Sequence, residues 1–520
     1  MHLSSSDMIV FLGFFAVVIT VSMLKSRRER TSEDYFLAGR GLTWPLIGFS
    51  IVAANLSTEQ FVGMSGQSAG NVGLAVAGYQ LLGAVTIVFV AIFFLPRFLR
   101  AGLYTMPEYL EYRYSPTTRA VMAFYTVVIY VLVLLAAVLY SGGLTLHTIF
   151  GMDLTAAVWL IGAIAAFYTA WGGLKAVAVA DLFQGSALLL GGLLTMILGF
   201  REIGVQTFFS ANADRLHMVL PADHPEMPWT VLVLGLWIPN FYYCGLNQFI
   251  VQRTLAAKTL RQGQLGIIFA AALWLLVPFV IVMPGIMALH LYGSELGTSD
   301  QAYPVLIRNL IPAGLRGFIF AALAGAVISS LASMLNSAAT ISTMDLYKRL
   351  LRPQATHEWL VDMGRVLTIV FVLVGCAIAP HLANPEFGGV FKYIQEFQGF
   401  ISPGILAAFV FGFVVRSAPP AAGTTALLAN VPVYGLLFLF FSGHGRLEAW
   451  TIREMAFLNR MAITFFVLIA LMAAITWARP LRQVRPMPVR AEIETRTAPI
   501  VWVLGALVIA AVVGFYIVFW

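Results

Sequence analysis

The sequence is poor in charged residues and in cysteine, and both shortages limit what kind of protein it encodes. Only 11% of its 520 residues are Asp, Glu, Lys or Arg, whereas about a quarter of an ordinary soluble domain is charged. Hydrophobic residues make up 60% of the chain, so we expect a membrane protein. The two cysteines, Cys244 and Cys376, lie in separate apolar stretches and indicate no disulfide framework.

Motifs that carry catalysis are also missing from the sequence. It contains no His-Glu-x-x-His zinc motif, no Gly-x-Ser-x-Gly nucleophile elbow and no phosphate-binding loop. We therefore predict that the protein is not an enzyme. The net charge of +7 is typical of basic cytoplasmic loops in a membrane protein, so no nucleic-acid partner is expected.

Long apolar runs fill the chain instead. A membrane helix needs about 20 residues, and we predict about fourteen such helices, so that residues 1–520 form one all-α multi-pass domain. Most of the 31 basic residues fall in alternate loops, which places both termini outside. The short loops favour a bacterial inner membrane. The predicted spans are 7–24, 43–66, 73–96, 120–146, 154–171, 179–200, 228–251, 265–290, 312–346, 364–382, 390–415, 420–442, 458–478 and 500–520.

Polar residues interrupt the second apolar run at positions 53–60, and they include the carboxylic acid Glu59. Lipid satisfies neither a carboxyl group nor a carbonyl freed by a break in a helix, so this cluster must face protein or water. We interpret it as a functional site. The alternative, a surface loop, fits poorly with the apolar residues on both sides.

A second interruption is predicted within residues 237–248. Pro239 lacks a backbone N–H and disturbs the preceding turn, while Asn240, Asn247 and Gln248 place amides at membrane depth. A simple proline kink is the alternative. Two broken helices at matching positions in two halves indicate an inverted repeat with a substrate site near the midplane.

These breaks suggest a division of the chain into a core and peripheral helices. We predict a first repeat over 43–200 and a second over 228–415. The helix at 7–24 and those within 420–520 are then peripheral to the core.

Small hydroxyl side chains cluster within residues 326–337. Ser329, Ser333 and Asn336 are spaced to share a helix face, and Ser330 lies beside them. Such residues commonly allow close helix packing. Two adjacent hydroxyls together with carbonyls freed by a break would instead form a neutral oxygen site for a monovalent cation, and the pattern leaves both interpretations open.

With these motifs, the chain resembles the sodium/solute symporters, specifically the sodium/glucose cotransporter branch. The resemblance runs from about residue 34 to about residue 412 and implies a LeuT-like fold with a 5+5 inverted repeat and alternating access around a central site. The matching segments are 34–40, 53–61, 102–110, 240–243, 252–258, 329–337 and 402–404.

The resemblance also implies where sodium binds. Its ligands would be the carbonyls of Ala53, Leu56 and Ala326 and the hydroxyls of Ser329 and Ser330. Asp181 is similar to an acidic residue that guides sodium to the cytoplasm or, in some members, helps to form a second sodium site. A helix cap at the membrane interface is the alternative role for Asp181.

For the substrate, the resemblance implies an amide-lined cavity closed by aromatic gates. The positions similar to sugar ligands are Gln60, Gln80, Asn240 and Gln395, with Trp274 beside them, Tyr243 as the inner gate, and Met64, Tyr79 and Phe391 as the outer lid.

Three of these positions differ from the galactose and glucose carriers. Gln80 and Trp274 replace a glutamate and a lysine, and Gly83 replaces a serine-like ligand. The site stays neutral, but the hydroxyls that it recognises must differ. The sequence also predicts no arginine at membrane depth near the site, which argues against a carboxylate substrate.

We predict a symporter that couples Na⁺ to the import of a small neutral solute, namely a sugar or polyol. A symporter of the same fold for another solute, such as an inositol, sialic acid or another carboxylate, is the alternative. A proton-coupled carrier that uses Glu59 and a solute sensor are less favoured. A channel is not favoured, because it would need a continuous polar lining through the membrane, whereas the polar clusters here are predicted near the midplane. The sequence does not determine the oligomeric state.

Overall fold

The described part of the chain is almost entirely helical. A computed structural model describes residues 5–26, 37–171, 174–384, 388–443, 451–452, 454–483, 488 and 496–520. Within them, two isolated β-bridges occur, Leu42 with Ala257 and Leu220 with Pro228, and no longer strand is present. The all-α prediction is confirmed.

Among the described residues, nine helices are long and apolar enough to cross a bilayer, and one further pair is bent by 44° at a short break. The nine are Gly73–Ala101, Pro116–Phe150, Val177–Ile203, Leu260–Glu295, Leu315–Leu351, His357–Ala383, Pro420–Phe441, Phe457–Ala478 and Pro499–Val518, and the bent pair is Val390–Gln398 with Ser402–Val414.

Four further apolar helices of the described residues occupy the remaining predicted spans. They are Ser5–Ser26, Trp44–Asn55, Leu154–Trp171 and Val231–Gly245. Every predicted span therefore contains a helix. The number of membrane crossings and the outside position of both termini stay predictions.

Short helices connect these elements. Beyond the breaks described below, they are Ala38–Arg40, Met106–Arg113, Val205–Ala211, Ala213–Arg215, Ser299–Gln301 and Ala302–Leu310.

Local sequence sets many of the helix ends. The side chains of Ser115, Thr259 and Thr356 each accept a hydrogen bond from a backbone N–H in the first turn of the following helix. Gly102 and Gly151 end their helices with φ of 68°, a left-handed conformation that glycine adopts without a steric penalty.

Close packing of the helices depends on small residues. The helix Trp44–Asn55 packs against Leu260–Trp274, and a Cβ at Gly48 would lie 2.5 Å from the ring of Phe269. A Cβ at Gly266 would come equally close to Ile47, at 2.7 Å. The two glycines therefore let the helix Trp44–Asn55 pack closely against Leu260–Trp274. The division into two repeats stays a prediction.

Candidate functional site

The first break lies at residues 56–58, between Trp44–Asn55 and the helical turns over residues 59–69. The Ser57 N–H bonds to the carbonyl two residues earlier, and the Gln60 N–H to the one three residues earlier. In a continuous α-helix those donors would reach the carbonyls of Ala53 and Leu56. Neither N–H group reaches these two carbonyls, which leaves both available to a ligand at the break. Their role as sodium ligands stays a prediction.

The second break lies at Leu246 and Asn247, between Trp237–Gly245 and Gln248–Leu255. Asn247 adopts an extended conformation there, with φ of −77° and ψ of 121°. Pro239 therefore does not interrupt the helix itself. It acts on the preceding turn, where the Leu236 N–H bonds to the carbonyl five residues earlier. The predicted interruption exists, but its centre is about two turns later than Pro239.

The helix Leu315–Ile341, called here the serine helix, crosses the first break. The Ser330 hydroxyl lies 3.5 Å from the Ala53 carbonyl oxygen and 3.4 Å from that of Ala54. These separations are long for an O–H···O hydrogen bond. Two oxygens that bind one cation at right angles, each about 2.4 Å from it, lie about 3.4 Å apart. The geometry therefore suits a shared cation as well as a weak hydrogen bond.

Asp181 lies beside the serine helix. Its carboxylate, which is fully buried, accepts hydrogen bonds from Ser50 and Ser329. The Arg253 guanidinium pairs with it at 3.2 Å and also donates to Ser50, at 2.6 Å, and to Ser333. Asp181 lies inside the helix Leu174–Ile203, beyond its first turn, which excludes a helix-cap role. It instead directly contacts Ser329, a predicted sodium ligand.

Arg253 corrects one sequence expectation. The charge count placed it in a cytoplasmic loop and predicted no arginine at depth near the site, yet it lies in the helix Gln248–Leu255 with 1% of its surface exposed. A signal was available, since Arg253 directly follows the polar Gln252 within a matched segment. Arg253 does not line the predicted substrate cavity, which is described next. Its guanidinium pairs with Asp181 instead.

The predicted substrate residues come together around one cavity, called here the central cavity. The volume of this cavity, about 30 Å³, is far below the ~300–1,000 Å³ typical of small-molecule sites, so its walls must move apart to admit a solute. All six predicted positions line it. They are Gln60, Gln80, Asn240, Tyr243, Trp274 and Gln395.

Two of the three predicted lid residues cover this cavity. The rings of Tyr79 and Phe391 meet edge to face with centroids 4.9 Å apart, and both line the cavity. Met64 is fully buried but is not among the lining residues. Its neighbour Gly63 lies against Phe391, because a Cβ there would stand 2.7 Å from that of Phe391.

Tyr243, the predicted inner gate, also lines the cavity. Its hydroxyl accepts a hydrogen bond from the Asn55 amide at 3.1 Å. The predicted inner gate is thus tied to the last residue of the helix Trp44–Asn55, one position before the first break. Sequence reasoning missed Asn55, although it falls inside the polar cluster at 53–60.

The cavity contains polar atoms that lack a protein partner. Among the described residues, these atoms include the side-chain amide oxygens of Gln60 and Gln398. The side-chain amide nitrogen of Asn240 and the indole nitrogen of Trp274 also lack a partner. Each is buried, and a buried polar group without a partner costs about 1–3 kcal/mol. The sequence analysis also missed Gln398. Its spacing of three from Gln395 on the same helix was an available signal, because such residues share a helix face.

No charged side chain is among the residues that line the central cavity in the described part of the chain. Glu59 faces a smaller neighbouring cavity, which shares Gln60 and Gln395 with the first. One Glu59 carboxylate oxygen has no protein partner. The cavity thus presents amides, aromatic rings and hydroxyls, with two acidic residues, Glu59 and Asp181, close by but outside its lining.

Two broken helices beside a polar cavity without charged lining are the features expected of an ion-coupled membrane carrier. The sequence matches the sodium:solute symporter family over residues 35–422. The chain belongs to that family, so it is a multi-pass membrane transporter and not an enzyme, as predicted.

Individual relatives support this assignment. A sodium/glucose cotransporter of Vibrio parahaemolyticus is 39% identical over 84% of this chain and 86% of its own length. A sodium/myo-inositol cotransporter 2 of Sus scrofa is 33% identical over 79% of this chain and 66% of its own. The structure of a Na⁺-coupled sialic acid symporter, 21% identical, covers 92% of this chain and 99% of its own with a TM-score of 0.79. The LeuT-like fold prediction is thereby confirmed.

Proposed function

We propose that this protein imports a small neutral sugar or polyol together with sodium, by alternating access around the central cavity. The observation that carries the proposal is the set of unpartnered amide and indole groups around a cavity without a charged lining. Amides both donate and accept hydrogen bonds, and an aromatic ring covers the apolar face of a sugar. Hydroxyl groups of a polyol would satisfy the buried polar atoms.

Sodium would bind at the first break. Its proposed ligands are the carbonyls of Ala53, Leu56 and Ala326 and the hydroxyls of Ser329 and Ser330, and the 3.5 Å separation between Ser330 and the Ala53 carbonyl supports them. These ligands belong to two different elements. Sodium can therefore favour a state in which the first broken helix and the serine helix are in contact, whereas ligands on one element could not.

One sodium ion would supply enough free energy for accumulation. An elementary charge crossing 100 mV contributes about 2.3 kcal/mol, and a tenfold sodium gradient adds about 1.4 kcal/mol. The sum, about 3.7 kcal/mol, sustains about a 500-fold accumulation.

Sodium-dependent uptake in proteoliposomes tests the proposal. We expect Ser330→Ala to abolish sodium-dependent uptake of the transported sugar or polyol, because it removes one ligand from a site that has no carboxylate. Ser337→Ala is the matched control, since it removes a hydroxyl from the same helix that bonds to Gln252 instead. Unchanged sodium dependence in Ser330→Ala, with control-like uptake, would remove the ion site from this proposal.

A proton-coupled carrier is the second candidate, and one observation favours it. Glu59 is 4% exposed and has an unpartnered carboxylate oxygen beside the central cavity. Uptake that follows the pH gradient, is lost in Glu59→Gln and persists without sodium would select this alternative. Uptake that follows sodium at constant pH selects the first proposal.

A carboxylate substrate is disfavoured by the positions of the nearby cations. Arg253 is committed to Asp181 at 3.2 Å, and the described residues that line the cavity include neither arginine nor lysine. A buried anion without a cationic partner would be strongly destabilised.

A further inference from the structure

A large crevice, separate from the central cavity, lies between the last helix and the core. The last helix, Pro499–Val518, forms one wall with Trp502 and Val503, and the beginning of Leu260–Trp274 forms another. The crevice has a volume of about 1360 Å³ and shares no lining residue with the central cavity.

Basic side chains line the mouth of this crevice. They are Arg40, Lys258, Arg261 and Arg496, and no acidic residue is among the described lining residues. Arg40 donates to the carbonyls of Leu255, Gly102 and Leu103. The other three are exposed and form no ion pair with a carboxylate in the described part of the chain. All four lie in parts of the chain that the charge distribution predicts to be cytoplasmic.

The same mouth holds the positive end of a helix. Thr259 caps Leu260–Trp274 by accepting a hydrogen bond from the Gln262 N–H. The N-terminal end of this helix, with its partial positive charge, therefore faces the crevice between Lys258 and Arg261. A negatively charged group at this position would interact with both side chains and the helix dipole.

The interior of the crevice is apolar and aromatic. Phe93 and Trp502 meet edge to face with centroids 6.2 Å apart, and Ile92 and Val503 lie beside them. Trp502 and Phe93 are 50% and 43% exposed. These rings are placed along the membrane-facing side of two helices, where hydrocarbon chains of lipid would contact them.

We propose that this crevice binds an anionic phospholipid, with the phosphate at Lys258, Arg261 and Arg496 and an acyl chain over Phe93 and Trp502. The combination of a cationic mouth and an apolar interior selects an amphiphile over a free anion, which would leave the interior unused. Basic pockets between membrane helices on the cytoplasmic side are suited to such headgroups. The inference does not depend on the transported solute.

The bound lipid would connect two parts of the fold. Arg496 and Trp502 belong to the last helix and the residues before it, whereas Lys258, Arg261 and Phe93 belong to the core. A direct hydrogen bond also joins the core to the segment before the last helix. The Gln264 amide donates it to the Thr497 hydroxyl at 2.8 Å. A lipid in the crevice therefore stabilises the attachment of the last helix.

Lipid binding to the purified full-length protein tests the proposal, measured by native mass spectrometry and by the shift in Tm. The probes are phosphatidylglycerol and phosphatidylcholine with identical acyl chains, and inorganic phosphate. We expect phosphatidylglycerol to bind and to raise Tm, and the other two probes to have little effect. Each basic side chain contributes about fivefold to binding of an anionic lipid, so the triple variant Lys258→Gln, Arg261→Gln and Arg496→Gln should bind about 100-fold more weakly.

The matched control removes the same charge elsewhere on the predicted cytoplasmic side, by Lys348→Gln, Arg416→Gln and Arg479→Gln. It should bind phosphatidylglycerol as the wild type does. Trp502→Ala supplies a second variant that keeps every charge and should also weaken lipid binding. Equal binding of both lipids, equal loss in the control, or a phosphate effect as large as that of phosphatidylglycerol would overturn the proposal.

Discussion

At the scale of single residues, the charged groups buried in this protein are held by specific partners. Asp181 pairs with Arg253, and Glu396 pairs with Arg460. Asp300 accepts a hydrogen bond from the Val390 N–H at 3.0 Å. Removing one member of such a pair leaves a buried charge uncompensated, which costs several kcal/mol. These pairs therefore constrain the helices that carry them.

Asp300 gives the protein a predicted pH dependence of stability. Burial, opposed by the Val390 N–H, raises the pKa of Asp300 from 3.8 to about 6. The folded state thus binds a proton more readily than the unfolded state. Stability should fall as pH rises from about 4 to about 6, by about 3 kcal/mol at most, and then level off. Thermal unfolding as a function of pH should show this change in the wild type and not in Asp300→Asn, and identical pH profiles would contradict the assignment.

Gln395 should contribute to substrate binding more than to sodium binding. It lines the central cavity and lies on Val390–Gln398, a helix that provides none of the proposed sodium ligands. We expect Gln395→Ala to raise the KM for the solute about tenfold, in line with the loss of one or two buried hydrogen bonds, while the sodium dependence stays within about twofold. Uptake titrated separately against solute and sodium measures both. Equal weakening of both would indicate a folding defect.

At the scale of elements, the bent pair Val390–Gln398 and Ser402–Val414 is held at its bend by the helix Pro420–Phe441. Asn430 donates to the carbonyls of Gly399 and Phe400 and accepts from the Gly404 N–H at 2.8 Å. One side chain thus satisfies three backbone groups that the bend releases. This helix lies almost entirely after residue 422, where the family match ends.

Replacing Asn430 should therefore affect both stability and transport. Asn430→Ala leaves buried carbonyls at the bend without a donor, and we expect a loss of about 2–3 kcal/mol of stability together with a changed KM for the solute. Thermal unfolding and uptake kinetics measure the two effects. Thr424→Val is the control, because its hydroxyl lies on the same helix but bonds to Thr118 at 2.7 Å. A smaller effect at Asn430 than at Thr424 would show that the bend does not depend on this contact.

At the scale of the whole molecule, the distribution of basic residues predicts the orientation in the membrane. The loop at 201–227 is predicted outside, and the one that contains Gln354 is predicted inside. Both native cysteines are buried, which makes accessibility labelling practicable. The predicted orientation follows from charge alone, because no described contact distinguishes the two sides.

Labelling with a membrane-impermeant thiol reagent tests this orientation. In a background without native cysteines, Ser210→Cys should react in intact cells, whereas Gln354→Cys should react only after permeabilisation. Both positions are exposed, so access to the side chain itself does not limit either reaction. The reverse pattern would invert the topology and place the lipid crevice on the outer side.

The sequence alone determined where the apolar helices lie and where two of them break. The signals were apolar runs, proline positions and polar clusters. They located every apolar helix, because a bilayer demands about 20 residues of uniform hydrophobicity. They also located both breaks, but the position predicted for the second was too early. Pro239 alters only the turn that precedes it, whereas the helix is interrupted at Leu246 and Asn247. The resemblance then identified the residues that surround the central cavity.

Tertiary structure alone decided which distant residues meet. Arg253 was counted as a loop charge, because sequence does not show that Asp181, 72 positions away, lies opposite it. Asn55 lies within the polar cluster at 53–60, but only the structure shows that it bonds to Tyr243. Gln398 lines the cavity only through the packing of its helix, and Asn430 became significant only through the bend that it contacts. The crevice has the same origin: its basic residues come from three separated segments, and only packing of the last helix against the core places them around one space. Periodicity and composition describe each helix by itself, whereas partners, cavities and paired charges arise from contacts between helices.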